Sequence, residues 1–154
     1  TVSPEWRMPE NSPLSLVGLV VAALALTAGG AILEKLVRSL RQQRDAGLAI
    51  GMFSISALGF VQVGITLWVL LSADLAVTET SHDAIIMVGL AYALLHGGLG
   101  AVLTLLQGLR VGYGYVGAHA PFEPAVVAQL WRYNVVTFWI IVGALAVLPR
   151  VIGS

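Results

Sequence analysis

Apolar residues run along the chain in four long blocks, about 14–37, 46–71, 84–109 and 125–148, broken only by scattered small or polar positions. A helix that crosses a bilayer needs about 20 such residues at 1.5 Å each, and all four blocks reach that length. Strands of a membrane barrel would alternate apolar and polar positions over about ten residues, whereas these blocks are continuous. Between them lie 38–45, 72–83 and 110–124, short and rich in charge or glycine, and ahead of them lies a polar segment, 1–13, with three prolines. The pattern predicts an all-α membrane protein, with four transmembrane helices in a bundle over 14–154. No second, soluble domain and no internal repeat is visible. Segment 1–13 lacks the basic stretch of a signal peptide. The missing initial Met leaves two expectations open: trimming of the chain, or a piece of a longer polypeptide.

Composition reinforces this picture. Of the 154 residues, 58% are apolar and only 10% charged, against about 25% charged in soluble domains. Sixteen charges cannot clothe a water-soluble globule of this size. The zero formal net charge removes any case for nucleic acid, which needs a clustered positive surface. There is no cysteine, hence no disulfide framework, thiolate metal site or covalent haem attachment. Lys35, Arg38, Arg41 and Arg44 gather around the first connection, and Arg110 and Arg132 flank the third. Only Arg7 and Arg150 lie at the opposite ends. Positive charge marks the cytoplasmic side, so the expected topology is N-out and C-out, with 38–45 and 110–124 cytoplasmic.

Helices in lipid associate through close packing and occasional hydrogen bonds, so small residues mark contact faces. Gly89, Ala93, Gly97 and Ala101 recur every four residues on the third helix. The second offers Gly47, Gly51, Ser54, Ser56, Gly59 and Gly64. These rows serve either packing within the chain or docking of a partner subunit. They outnumber what one small bundle needs, which favours a partner.

Intramembrane polar groups are the first place to look for chemistry. His96 and Gln62 lie mid-helix, and Glu34 and Gln107 lie near helix ends. Glu34, beside Lys35 and Arg38, reads as a wet interfacial charge, and Glu123, His82 and His119 lie in or beside loops. Neutral imidazole is a usual haem ligand, but no second histidine shares the depth of His96. His82 is 14 residues away, about 21 Å along a helix. No His, Asp and Glu cluster has metal-ligand spacing. His96 therefore reads as a hydrogen-bonding residue toward a neighbouring helix or subunit. No catalytic, cofactor-binding or metal-binding residue is expected in this chain. The Gly112–Tyr115 run has no flanking strand and reads as a flexible loop rather than a phosphate cradle.

The stretch His82-Asp83, then Tyr92-Ala-Leu-Leu-His96-Gly97-Gly98-Leu99-Gly100 with Arg110 following, resembles the penultimate helix of the cytochrome c oxidase subunit III family. Pro121-Phe122-Glu123-Pro124-Ala125, continued by Leu130-Trp131-Arg132-Tyr133-Asn134-Val135-Val136-Thr137-Phe138-Trp139, resembles the family's last helix. The Trp6–Pro13 entry resembles the subunit III part of bacterial oxidases in which subunits I and III are fused. Departures are plain. Leu99 stands where a second family histidine would be, Arg132 replaces His, no Asp lies near Val135, and four helices stand where the family commonly has seven.

The resemblance implies a non-catalytic accessory subunit of a haem–copper terminal oxidase in aerobic respiration, in the bacterial cytoplasmic membrane. It would pack against catalytic subunit I and subunit II, bind phospholipid and support proton uptake. Haem and copper would reside in the catalytic subunit. Gly89, Ala93, His96, Gly97, Ala101, Trp131 and Trp139 are then the packing residues, and Arg110, Glu123 and Arg132 lie at the cytoplasmic interface. Two other classes stay open: a membrane-anchor or haem-bearing subunit of another respiratory complex, which a haem ligated between two chains would allow, and a small transporter, weakened by the lack of an interior carboxylate.

Overall fold

A computed structural model describes residues 15–41, 47–73, 75, 81–116 and 122–152. The described residues form four helices, α1 (Leu16–Arg41), α2 (Leu48–Ser72), α3 (Ser81–Gly112) and α4 (Phe122–Ile152). The shortest, α2, has 25 residues, about 38 Å at 1.5 Å per residue, enough to cross a hydrocarbon core of about 30 Å. All four contain apolar spans long enough to do so: Leu16–Ser39, Leu48–Ser72, Asp83–Gly112 and Glu123–Val147. The chain is an all-α membrane protein. Segment 1–13 lies outside the described residues.

The helices close a ring in which α2 packs against α1 and α3, and α4 against α1 and α3. Their ends extend past the apolar blocks for identifiable reasons. Pro124 falls in the first turn of α4, where its missing N–H would have had no helical partner anyway. At the other end of the preceding connection, Gly114 adopts φ +77°. Its N–H bonds the Val111 carbonyl at 3.0 Å, and Tyr115 N–H bonds the Arg110 carbonyl at 2.9 Å. This pairing is a Schellman cap, so the glycine–tyrosine run ends α3 in an ordered turn and is not merely a flexible loop.

About a third of each span's positions are buried inside the bundle. The rest face outward and are mostly large and apolar, among them Val17, Ile50, Trp68, Leu71, Val88 and Leu95. Lipid suits that surface; water does not. Inside, Leu19, Leu26, Leu33, Met52, Ile55 and Leu90 form the core.

Candidate functional site

Trp131 of α4 is the largest fully buried side chain, 1% exposed. Its indole lies in a socket floored by glycines from each of the other helices. A Cβ on Gly29 of α1 would stand 2.6 Å from Cζ3, one on Gly59 of α2 would stand 3.3 Å from Cη2, and one on Gly100 of α3 would stand 3.7 Å from Nε1. Nε1–H donates to Thr104 Oγ1 at 2.8 Å, and the Thr104 hydroxyl donates to the Gly100 carbonyl at 2.7 Å. The indole is thus satisfied in a place where an unpaired donor would be costly.

One turn further along α4, Asn134 Nδ2 donates to the His96 carbonyl at 2.9 Å. The His96 imidazole does something different from the expectation drawn for it. Nδ1 pairs with the Tyr92 carbonyl of its own helix at 3.1 Å, and the ring stacks on Tyr92 with centroids 3.9 Å apart. The interhelical bond at this position is made by the backbone carbonyl, because the side chain at i bonds back to i−4. The Tyr92 hydroxyl in turn meets the Tyr133 hydroxyl of α4. A crevice between α1, α3 and α4 is lined by Leu26, Ala93, His96, Asn134, Thr137 and Phe138.

The small-residue row of α3 turns inward. A Cβ on Gly97 would collide with Gln62 Oε1 of α2, Ala101 lies against Gly59, and Gly89 has Ile141 of α4 as its nearest neighbour. Ala93 is buried at the crevice. Gly97, Ala101, Gly89 and Ala93 are therefore taken up within the chain, and the reading of this row as a partner's docking seam gives way. Side chains of the neighbouring helices stand opposite this row, Gln62 against Gly97 and Ile141 against Gly89. Gln62 itself is fully buried, with Nε2 donating to Thr66 Oγ1 at 3.1 Å. Ser56 ties α2 to α3 by donating to the Ala101 carbonyl at 2.9 Å.

Charges cluster at the end of the bundle where α1 and α3 finish. Glu123 accepts from Arg110 Nη1 at 2.9 Å and Nη2 at 3.1 Å, a two-pronged pairing. Gln107 Nε2 adds a contact to Glu123 at 3.3 Å. Beside this pair a cavity of about 330 Å³ is lined by Leu103, Leu106, Leu109, Arg110, Tyr113 and Tyr115. Arg132 is not at the helix end with them. It stands nine residues into the α4 span and donates from Nε to Glu34 Oε1 of α1 at 2.7 Å. Arg38 approaches the same carboxylate at 3.6 Å. Glu34 is thus an interhelical ion-pair partner, not simply a wet interfacial charge, since helix register brings a residue 98 positions away onto it. On the same side of α4, Trp139 Nε1 donates to Thr27 Oγ1 at 3.0 Å.

The sequence alone does not mark Tyr92, Thr104, Tyr133 and Asn134 as site residues. A helical spacing of three and seven from Trp131 to Asn134 and Phe138 was the available sign that these share one inward face. Among the described residues no three His, Cys, Asp or Glu side chains gather as a metal site. His119 lies outside the described residues. No family model and no curated protein matches the sequence.

Proposed function

We propose that the chain is a non-catalytic accessory subunit of a haem–copper terminal oxidase, packed against the catalytic subunit of a bacterial cytoplasmic-membrane complex. One observation carries this reading. Several of the residues that bear the resemblance to subunit III meet across the seam between α3 and α4, while Arg132 and Trp139 reach α1. His96 meets Asn134, Gly100 lies against Trp131, and Arg110 meets Glu123. Motifs that serve one structural purpose in a family are expected to meet in space in this way. On this reading the end of the bundle with Arg38, Arg110 and Glu123 is cytoplasmic. The leucine-walled cavity with Arg110, Tyr113 and Tyr115 at its rim suits an acyl chain below a phosphate headgroup, as arginine and interfacial tyrosine anchors do elsewhere.

Haem and copper belong to the neighbouring subunit on this reading, and this chain sustains turnover next door. Purification of the native complex in mild detergent should retain a haem–copper catalytic subunit. Removing this chain should leave that subunit's haem spectrum largely intact while activity decays faster during turnover. Co-purification with a complex that has no haem–copper subunit would overturn the proposal. So would loss of a haem band on His96→Ala with every subunit still bound, which would favour a haem-bearing anchor.

A further inference from the structure

Arg132 is a charged residue where a membrane protein rarely leaves one facing outward. It lies nine residues after Glu123, where the α4 span begins, about 13 Å along the helix axis. Its partner Glu34 lies five residues inside the end of the α1 span, about 7 Å. The Arg132 side chain is nonetheless 57% exposed and Glu34 31% exposed. Only Nε of Arg132 is engaged by Glu34. Among the described residues its two terminal nitrogens have no partner. Among the described residues the cluster also fails to balance: Arg132 and Arg38 share a single carboxylate, leaving one positive charge in excess. Intramembrane charges face a bundle interior or pair with one another, and a guanidinium with both terminal nitrogens open is shaped for a second carboxylate.

The neighbouring outward residues share this character. Tyr133, Val136, Trp139 and Ile140 form the rest of that face of α4. Arginine, tyrosine and tryptophan are the residues enriched at protein interfaces and their hot spots.

We propose that this outer face of α4 docks a transmembrane helix of a different protein, and that the helix supplies an Asp or Glu carboxylate to the open side of Arg132. Charge complementarity selects this occupant. A second copy of the chain would place the same positive excess opposite itself. A phospholipid phosphate belongs at the headgroup level, nearer Arg38 than Arg132. The inference does not depend on the oxidase assignment, since any membrane protein with an acid at this depth fits.

The test places a photo-crosslinking phenylalanine analogue at Val136, one turn from Arg132, and separately at Leu95 on the outer face of α3, in the full chain in its own host membrane. The Val136 probe should cross-link to a transmembrane segment that contains an Asp or Glu. R132Q should reduce that adduct at least tenfold, as should replacing the partner's acid by its amide. E34Q should keep the adduct, because it leaves Arg132 charged, and this separates docking from a general failure to fold. The swap of R132E with the partner's acid changed to Arg should restore the adduct. The Leu95 probe should not give it. An adduct formed only with this same chain, only with lipid, or only with a segment free of acids would overturn the proposal. So would an adduct unchanged by R132Q or lost equally in E34Q.

Discussion

The socket around Trp131 makes a quantitative claim about what holds four helices together in lipid. In water-soluble cores Trp→Ala truncation costs about 3–5 kcal/mol, part of it transfer and part of it the cavity. In a bilayer the transfer part largely vanishes, because a side chain released from the bundle meets lipid instead of water. Lost dispersion contacts, the cavity and the Thr104 hydrogen bond remain. Interhelical hydrogen bonds in membranes average about 0.6 kcal/mol, so Trp131→Ala is expected to cost about 2–3 kcal/mol in all. Trp131→Phe loses the hydrogen bond and the outer edge of the ring, about 1 kcal/mol.

The sharper test is the coupling with Gly29. The Cβ of Gly29→Ala would lie 2.6 Å from Cζ3 and 3.0 Å from Cη2 of the indole. The ring is held from the far side by Thr104 and cannot simply rotate away. Overpacking of this kind costs about 1–3 kcal/mol. In Trp131→Phe those two atoms are gone, so Gly29→Ala should become nearly neutral there. The double-mutant cycle should give a coupling energy of at least about 1 kcal/mol. Reversible unfolding in mixed micelles, followed by circular dichroism for all four proteins of the cycle, measures it. Additive costs would mean the indole is not wedged on Gly29, and the account of the central socket would be refuted.

Three further outcomes follow from the same contacts. Gly97→Leu drives a branched side chain into Gln62, which is locked to Thr66, and should destabilise the isolated bundle by about 1–3 kcal/mol in the same unfolding assay, before any partner is considered. Asn134→Ala should destabilise more than His96→Ala, because Asn134 makes the interhelical bond to a carbonyl that His96→Ala leaves in place; equal losses in paired unfolding curves would contradict this. The inside-positive topology is read by single cysteines at Thr78 and at the outward-facing Tyr115, probed with an impermeant thiol reagent in intact cells: labelling is expected at 78, and labelling at 115 alone reverses the orientation.

The four spans were legible because run length is a property of the chain in one dimension. Their ends were less so. The third connection is expected to run to 124, yet a first turn tolerates Pro124, and α4 starts at Phe122. The glycine row on α3 was visible as a row, but its neighbours were not. That Gly97 faces Gln62, or that Gly29, Gly59 and Gly100 converge on one indole, depends on the register of separate helices. Polar residues misled for the same reason. Proximity in sequence assigns Glu34 to Lys35 and Arg38; the fold keeps Arg38 at 3.6 Å but adds Arg132 at 2.7 Å, and the interhelical bond expected of the His96 side chain is made by its backbone carbonyl instead. In hydrocarbon a polar group cannot fall back on water, so each must be matched in three dimensions. Among the described residues Gln62 Oε1, Gln107 Oε1 and Asn134 Oδ1 are left unmatched inside the bundle, whereas the open terminal nitrogens of Arg132 belong to a side chain that faces outward. A residue whose demands exceed what its own chain supplies, on a face directed outward, is the physical reason for placing a partner's carboxylate there.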